Sequence, residues 1–540
     1  MEQKIQKIHV QKSNKSNSSE PSGTILEADK PLSQSMLWKL QSDFYANQGP
    51  EAWSKGIVPQ YITTNPYIAN LYAKIVFGYC KDMVSREDYD RNATIYLMEL
   101  AAGVGRFTYT FLKRFLHMVE HSSLNGLKFK YIITDLAERN VAYWLNHSSL
   151  KPYFESGILD CATFDMACGV ELQLRYSGEV LSKGSLKNPL ILFANYTFDS
   201  IPQDTFYVKD GELYEGLVTV TAKEDKVDTE DQSILSGLDY EYTDRQIQGN
   251  TYYEETNMND ILLYYKDCLE DTAFSLPVVA LRCINRLKEL FHDDILLIAT
   301  DKGYRNLSSM DKNYHPYLSK HGSISLTVNF HAMELYFKGL GGKAIHSLYD
   351  HENVTTSLFL LSQSSHDFIE TELACQEMIE NIGPDDFYVL KKAIVPFHKS
   401  LTTKELLTFL RYTLWDARTF LDFYNTLLER IASEEDFPKD EMISAIHKVW
   451  EYYFPIGEEG DLASCLGSLL AYFGEDRDAL LLFQSSLEFY GEDAGTNYEI
   501  ALCYYSLQEL DKAMEYVDKS LLLDPDFEES INLKDILGEI

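Results

Sequence analysis

The chain lacks any apolar run approaching the ~20 residues that cross a bilayer, and its opening, MEQKIQKIHV, has no signal-peptide core. These absences argue against a membrane span and against general secretion. A cytoplasmic location is expected, although a bacterial effector exported by a specialised machine would leave the same signs. The 8 cysteines are scattered without a CxxC or a Cys/His cluster, which argues against a disulfide frame or a zinc site. They read as small reduced core residues, and no metal is expected. Positive charge is also scarce, with 48 basic against 83 acidic residues and a formal net charge of −35. No run of Lys and Arg with interleaved aromatics appears, so neither nucleic acid nor an anionic membrane is an expected partner.

What is present begins with length: 540 residues allow two to four domains with cores that need no cross-links. Residues 1–30, containing KSNKSNSSEPSGT, read as a flexible polar arm. From Met36 to Val84 the aromatic content rises and the spacing turns helical, interrupted by the loop GPEAWSKGIVPQYITTNP.

The segment NATIYLMELAAGVGRFTYTFLKRF, Asn92 to Phe115, then places a glycine turn between an apolar run and an amphipathic helix. Glu99 stands just before the turn. Gly103 and Gly105 permit close backbone approach, and the helix that follows offers unpaired N–H groups. The third glycine of the dinucleotide pattern is missing, since Arg106 and Phe107 follow Gly105. A pyrophosphate cradle is therefore not specified.

Strands and helices alternate from here. Strands are expected over Thr94–Leu100, Phe129–Thr134, Gly157–Phe164 and Pro189–Asn195, with helices Phe107–Met118 and Glu138–Leu145 between the first three. Apolar runs of this length between polar helices suit a mostly parallel sheet covered on both faces. Ligands of such sheets sit at the carboxyl ends of the strands, where Glu99, Asp135, Asp165 and Asn195 fall. Between Lys209 and Glu255 a hairpin-like run leads into an acidic stretch that reads as a lid or insertion. Two more strands are expected over Asp294–Thr300 and Gly322–Phe330.

After about Thr355 helical spacing dominates, which predicts a separate helical region. Its last part repeats at a spacing of 34 residues, placing Ala501 on Gly467, Ala513 on Ala479 and Val517 on Phe483. Small residues let two helices approach while the larger one fills their seam, which is the tetratricopeptide pattern. An earlier copy, with Ala445 in the place of Ala479, is degenerate, and INLKDILGEI reads as a capping helix.

The cofactor best suited to these residues is S-adenosyl-L-methionine rather than NAD, because it carries an ammonium and a carboxylate but no pyrophosphate. Glu99 would organise the loop or meet the ammonium, Asp135 would accept the ribose hydroxyls, and Asp165 with Met166 would serve the adenine. The alternative for Asp135 and Asp165 is plain capping of local N–H groups.

At this point the chain resembles a known family. MELAAGVGR is similar to motif I of class I S-adenosylmethionine-dependent methyltransferases. The first 350 residues resemble more narrowly the MidA-like family, which includes a mitochondrial complex I assembly arginine methyltransferase. Three further blocks carry this: QYITTNPYIANLYAKIVFGY, LILFANYTFDSIPQDTFYVKDGELYEGLVTV, and ATDKGYR with HGSISLTVNFHAMELYFKGLGG. The resemblance implies an α/β, Rossmann-like class I methyltransferase sheet with helical insertions, followed by an all-α tetratricopeptide-like region outside its reach. It implies a cofactor site of Thr63, Glu99, Ala101, Gly103, Gly105, Arg106, Asp135, Asp165, Met166 and Asn195. The expected domains are an arm over 1–30, a methyltransferase unit over 31–350 with an insertion near 221–255, a helical region over 351–455, and repeats with their cap over 456–540.

Departures from the family pattern bear on the reaction. Asn195-Tyr196 stands where the family has Asn-Glu, and Val328-Asn329-Phe330 where it has Val-Asp-Phe; Ala101 and Ala102 precede Gly103 where a glycine is often first. An arginine acceptor needs carboxylates, so losing two weakens that assignment. Asn195, Tyr196, Asp199 and His321 are the catalytic candidates, with Asp301 behind them. The expected activity is methyl transfer to a protein side chain by positioning and desolvation. Its rivals are a cofactor-binding scaffold acting through the helical tail and a small-molecule methyltransferase. A protein substrate or partner at the tail is expected, and a homodimer is left open.

Overall fold

The computed structural model describes residues 24–169, 171–222, 234–310, 315–320, 322–349, 351–363 and 367–539. Its centre is a seven-stranded sheet of β1 (Ile95–Leu100), β2 (Phe129–Asp135), β3 (Leu159–Thr163), β4 (Leu190–Asn195), β5 (Ile295–Asp301), β6 (Lys343–His346) and β7 (Thr355–Leu361). The spatial order is 3-2-1-4-5-7-6. Strands β1 to β5 pair in parallel, while β7 runs antiparallel to both β5 and β6. The first five positions follow the doubly wound order, in which the chain reverses direction of build between β1 and β4 and opens a crevice there. The antiparallel β7 between β5 and β6 departs from the all-parallel dinucleotide arrangement.

Both faces of this sheet are covered, which is why its central strands are apolar throughout rather than alternating. Every residue of β1, β5 and β7 is buried. On one face Ile191 and Phe193 pack with residues of helices Pro66–Val84 and Arg106–Glu120. On the other, Leu190 and Leu192 meet helices Val278–Leu290 and Phe330–Gly339.

Three expectations change here. The run Gly322–Phe330 is not a sheet strand: it makes only short pairings at Ile324–Ser325 and Val328–Asn329, outside the seven. The reason is local, since the Asn329 side chain accepts the N–H of Ala332 at 2.9 Å and starts a helix at Phe330. Strand β7 closes the sheet from a position where helical spacing was expected to take over. Thr24–Pro31 is a strand rather than part of an arm, and residues 1–23 lie outside the described residues.

That strand joins Asp204–Lys209, Glu212–Ala222, Leu238–Gln246 and Thr272–Leu276 in a second, antiparallel sheet. The acidic stretch read as a lid therefore contains a regular strand, Leu238–Gln246, paired along Glu212–Ala222. Residues 223–233 lie outside the described residues.

The C-terminal part is helical from Pro384 onward. Helices Leu462–Tyr472 and Asp476–Tyr490 pair, as do Ala494–Ser506 and Leu510–Leu523, and Glu528–Glu539 follows. The 34-residue register is visible in the packing. A Cβ on Gly467 would come within 2.8 Å of the Phe483 ring, so the glycine is what admits that ring. One repeat later Ala501, Ala513 and Val517 are buried together with Leu533 and Leu537 of the last helix.

The tail is fastened to the α/β unit by the segment between its helices Lys439–Tyr452 and Leu462–Tyr472. Phe454 and Ile456 belong to the core of the sheet's first face. Tyr109 donates its hydroxyl to the Glu451 carbonyl at 3.0 Å, and His147 stacks on Phe454 at 4.0 Å between ring centroids.

Candidate functional site

The crevice at the β1/β4 switch point opens into a cavity of about 330 Å³, within the range of small-ligand sites. Glu99, Asp135, Asp165 and Asn195, the four polar strand ends, all line it. So do Thr63, Ala101, Gly103, Arg106, Met166, Tyr196 and Asp199. Gly105 does not line it, and His321 lies outside the described residues.

The glycine turn is held on three sides before any ligand is considered. Asp135 Oδ2 accepts the Gly103 N–H at 3.0 Å, Trp144 Nε1 donates to the Gly103 carbonyl at 3.0 Å, and the Ala102 N–H reaches the Thr134 carbonyl at 2.9 Å. Gly103 has φ +57°, and a Cβ there would come within 2.8 Å of the Trp53 indole. Gly105, at φ +83°, instead lets the turn sit against Ile133 and Trp144, so its role is packing beneath the loop. Ala101 takes φ +51°, a left-handed conformation that costs a non-glycine residue about 1 kcal/mol.

The carboxylates divide by environment. Glu99 is buried, with Thr108 and Tyr131 donating hydroxyls to one oxygen. Burial pushes its pKa up to about 7, against the pull of those two hydroxyls. Asp135 accepts Gly103 N–H on one oxygen and Ala137 N–H on the other, at 2.9 Å, and burial raises its pKa. Asp165 accepts the Ala167 N–H at 2.7 Å. Capping and cavity lining thus coexist in Asp135 and Asp165: each oxygen bonded to one N–H keeps a second acceptor position.

At the β4 end, Asn195 Oδ1 accepts the Tyr72 hydroxyl at 2.7 Å. Tyr196 has φ +50°, strain of the kind that collects at functional sites. Asp301 is fully buried and gathers the N–H groups of Thr197, Phe198 and Asp199 on one oxygen at 2.8–3.2 Å. It positions the turn that carries Tyr196 and does not line the cavity. Asp199 does line it, and burial raises the pKa of both carboxyls, that of Asp301 further because of its charged neighbour. Asn329 is fully buried, bonded to Tyr265, the Ser275 carbonyl and Ala332 N–H. It does not line the cavity and serves as the cap of the helix that starts at Phe330.

Several lining residues were not singled out from the sequence. Trp53 covers Gly103 and stacks on Tyr45 at 5.8 Å, while Gln60, Gln41 and Lys302 complete the wall. The loop GPEAWSKGIVPQY held the signal for Trp53 and Gln60, a tryptophan and an amide beside glycines and prolines. Three buried polar atoms on the wall have no partner among the described residues: Gln60 Oε1, Arg106 Nε and Asn195 Nδ2. Buried polar groups are nearly always bonded, so these three atoms mark the residues of this wall as incompletely satisfied.

A second chamber, of about 1250 Å³, adjoins the first. Trp53, Gln60, Arg106 and Tyr196 line both, and the tail supplies its far wall. Among the described residues no group of His, Cys, Asp and Glu is arranged to hold a metal ion, and no helix is long and apolar enough to cross a membrane.

No family model and no curated protein matches the chain. Among solved structures, a Burkholderia thailandensis member of a methyltransferase-like superfamily, bound to S-adenosyl-homocysteine, is 14% identical, covering 59% of this chain and 74% of its own at TM-score 0.36. A native crystal structure of a member of that superfamily from the same organism is 12% identical, covering 63% and 90% at TM-score 0.38. YrrB, a tetratricopeptide protein with an unusual peptide-binding site, is 17% identical, covering 28% and 81% at TM-score 0.22. These likenesses are distant and partial, one to members of a methyltransferase-like superfamily and one to a helical-repeat protein.

Proposed function

We propose that this chain is an S-adenosylmethionine-dependent methyltransferase acting on a protein side chain. The observation that carries the reading is the convergence of the glycine turn and the strand-end residues Glu99, Asp135, Asp165 and Asn195 on one 330 Å³ cavity at the switch point. The residues present fit the cofactor. Arg106 Nε is a donor suited to a carboxylate, and Gln60 Oε1 and Glu99 are acceptors suited to an ammonium. Asp135 lines the cavity as an acceptor for hydroxyls, and Met166 lies beside Asp165 as an apolar face for a base. When bound, the cofactor supplies an electrophilic methyl group on a sulfonium.

This chain's own task is then to present an acceptor atom and exclude water. Asn195 Nδ2 is a donor without a partner, and Tyr196 separates the cofactor cavity from the outer chamber. Asp199, a buried carboxyl on the wall next to Tyr196 and Asn195, takes the acceptor's proton in this reading. Positioning by rigid elements and desolvation contribute the rest. The absence of a carboxylate at Tyr196 favours an acceptor that needs no guanidinium clamp. The same tyrosine supports a second reading, a cofactor-binding scaffold without turnover.

Tritiated methyl transfer from S-adenosylmethionine to a mixed peptide library tests the activity. Label should enter peptides with the wild-type chain and vanish with Asp135→Ala. Cofactor binding with no label in any peptide would favour the scaffold.

A further inference from the structure

We propose that the 1250 Å³ chamber between the tail and the α/β unit is the acceptor site, and that it takes an extended acidic polypeptide segment. The proposal rests on the methyl-transfer reading and adds the acceptor's entry route and its chemistry. Three observations carry it.

Size comes first. Sites for small ligands run to about 1,000 Å³, and this chamber exceeds that while adjoining a second cavity large enough for a cofactor. The two share Tyr196, Gln60 and Arg106 as their common wall, so a chain lying in the outer chamber can pass one side chain by Tyr196 toward the inner one.

The second observation is the wall itself. Its outer side comes from helices Pro384–Ile394 and Ala417–Ser433 and from the segment after Tyr452. That side is fixed to the α/β unit by partly buried bonds. Tyr61 donates to Asp416 at 2.7 Å and accepts from Lys391 at 2.7 Å, and Arg106 pairs with Glu458 at 2.8 Å. The chamber is therefore a standing feature of the fold rather than a gap between two loosely joined parts.

Third is the charge these pairings leave. Lys391 and Arg106 are committed within the wall, and Lys55 pairs with Glu51. Arg418 lies 4.9 Å from the Tyr61 ring centroid and Lys392 lies 5.2 Å from that of Tyr388, each exposed and without a carboxylate partner among the described residues. Glu459 opposes them, as does the second of the two carboxylates that share Lys391, and among the described residues the lining holds five cations against four acids. A chain with 83 acidic against 48 basic residues thus holds two ring-seated free cations at this chamber. Beyond a Debye length of about 8 Å the chain's net negative charge is screened at physiological salt, so the chamber's own charges decide what enters. Carboxylates flanking the methylated residue would meet Arg418 and Lys392, and backbone and side chains between them would lie against the tyrosines.

A random nonapeptide library selected on the immobilised full chain, with S-adenosyl-homocysteine present, tests this. Asp and Glu should be enriched at least threefold, and the enrichment should disappear in the Arg418→Glu/Lys392→Glu double variant and shrink in Arg418→Gln/Lys392→Gln. Both residues lie outside the cofactor cavity, so calorimetric binding of S-adenosyl-homocysteine should be unchanged and serves as the folding control. No selection, enrichment of Lys and Arg, or an acidic preference that survives charge reversal would overturn the proposal. If the wild-type chain fails to bind S-adenosyl-homocysteine, the methyl-transfer reading fails separately, and the peptide selection still reports on the chamber.

Discussion

Asp135 Oδ2 accepts the backbone N–H of Gly103 at 3.0 Å, so the acid assigned to a ribose also clamps the glycine turn. Site and scaffold are one unit here. Hydrogen bonds to a charged group are worth roughly 1.5–3 kcal/mol each. Asp135→Ala, which removes those to Gly103 and Ala137, should cost about 3–6 kcal/mol in urea denaturation and abolish measurable cofactor binding. Asp135→Asn keeps the shape but turns a donor toward one N–H, and should fall between.

Gly103 is closed in by Trp53 as well as by its positive φ. Gly103→Ala should weaken S-adenosyl-homocysteine at least tenfold in calorimetry. If the indole is the obstacle, Gly103→Ala/Trp53→Ala should bind more tightly than Gly103→Ala. Equal affinities would show that the backbone, not the cover, is responsible.

Ala101 tests strain in the opposite direction. Glycine adopts its φ of +51° without penalty. Ala101→Gly should therefore leave stability unchanged or raise it by up to about 1 kcal/mol, despite the entropy usually lost at glycine. A loss above about 1 kcal/mol, read from thermal unfolding, would mean the methyl packs more than it strains.

The pKa of Glu99 is pushed up to about 7 by burial. Folded above its ordinary value of 4.5, this group contributes stability that is fully present below about pH 4.5 and is lost as pH rises through about 7. An ammonium placed beside it would favour the ionised form. Cofactor-product affinity should thus rise several-fold from pH 6 to pH 8, with proton release seen as a buffer-dependent heat. Glu99→Gln should flatten that profile.

His147 couples the tail to the α/β unit in the opposite sense. Its Nε2–H donates to the Pro455 carbonyl at 2.8 Å while Nδ1 accepts the Ser149 N–H at 3.1 Å, so the neutral ring is fully bonded. A second proton would face an N–H, and burial lowers its pKa to about 4. The contribution, on the order of 3 kcal/mol from a shift of that size, is present above about pH 6.5 and lost as pH falls through about 4. Limited proteolysis near residue 455 should accelerate between pH 6 and pH 4, and His147→Phe should remove that dependence.

The alternation of strands and the acids at their ends were legible because both follow from local pattern: apolar runs of five to seven residues closed by Glu99, Asp135 and Asn195. The 34-residue register was legible for the same reason, small residues recurring where helices touch. Strand β7 was not, because a short run buried on both faces carries no alternation to separate it from a helix. Gly322–Phe330 misled in reverse, its apolar residues being interrupted by an Asn329 cap visible only once the helix is in place. Trp53, on the one-turn helix Glu51–Ser54, and Gln60 just after it reach the cavity from a stretch whose glycines and prolines mark a turn but not that it covers Gly103. The outer chamber is a meeting of segments some 350 residues apart, as the Tyr61–Asp416 bond shows, and no local pattern encodes it.

Isothermal titration calorimetry of the full chain with S-adenosyl-homocysteine tests the central claim most directly. The account predicts saturable, one-site binding that weakens at least tenfold in Gly103→Ala and is lost in Asp135→Ala. A folded wild-type chain that gives no binding heat at any temperature, or variants that bind as well as wild type, would contradict it.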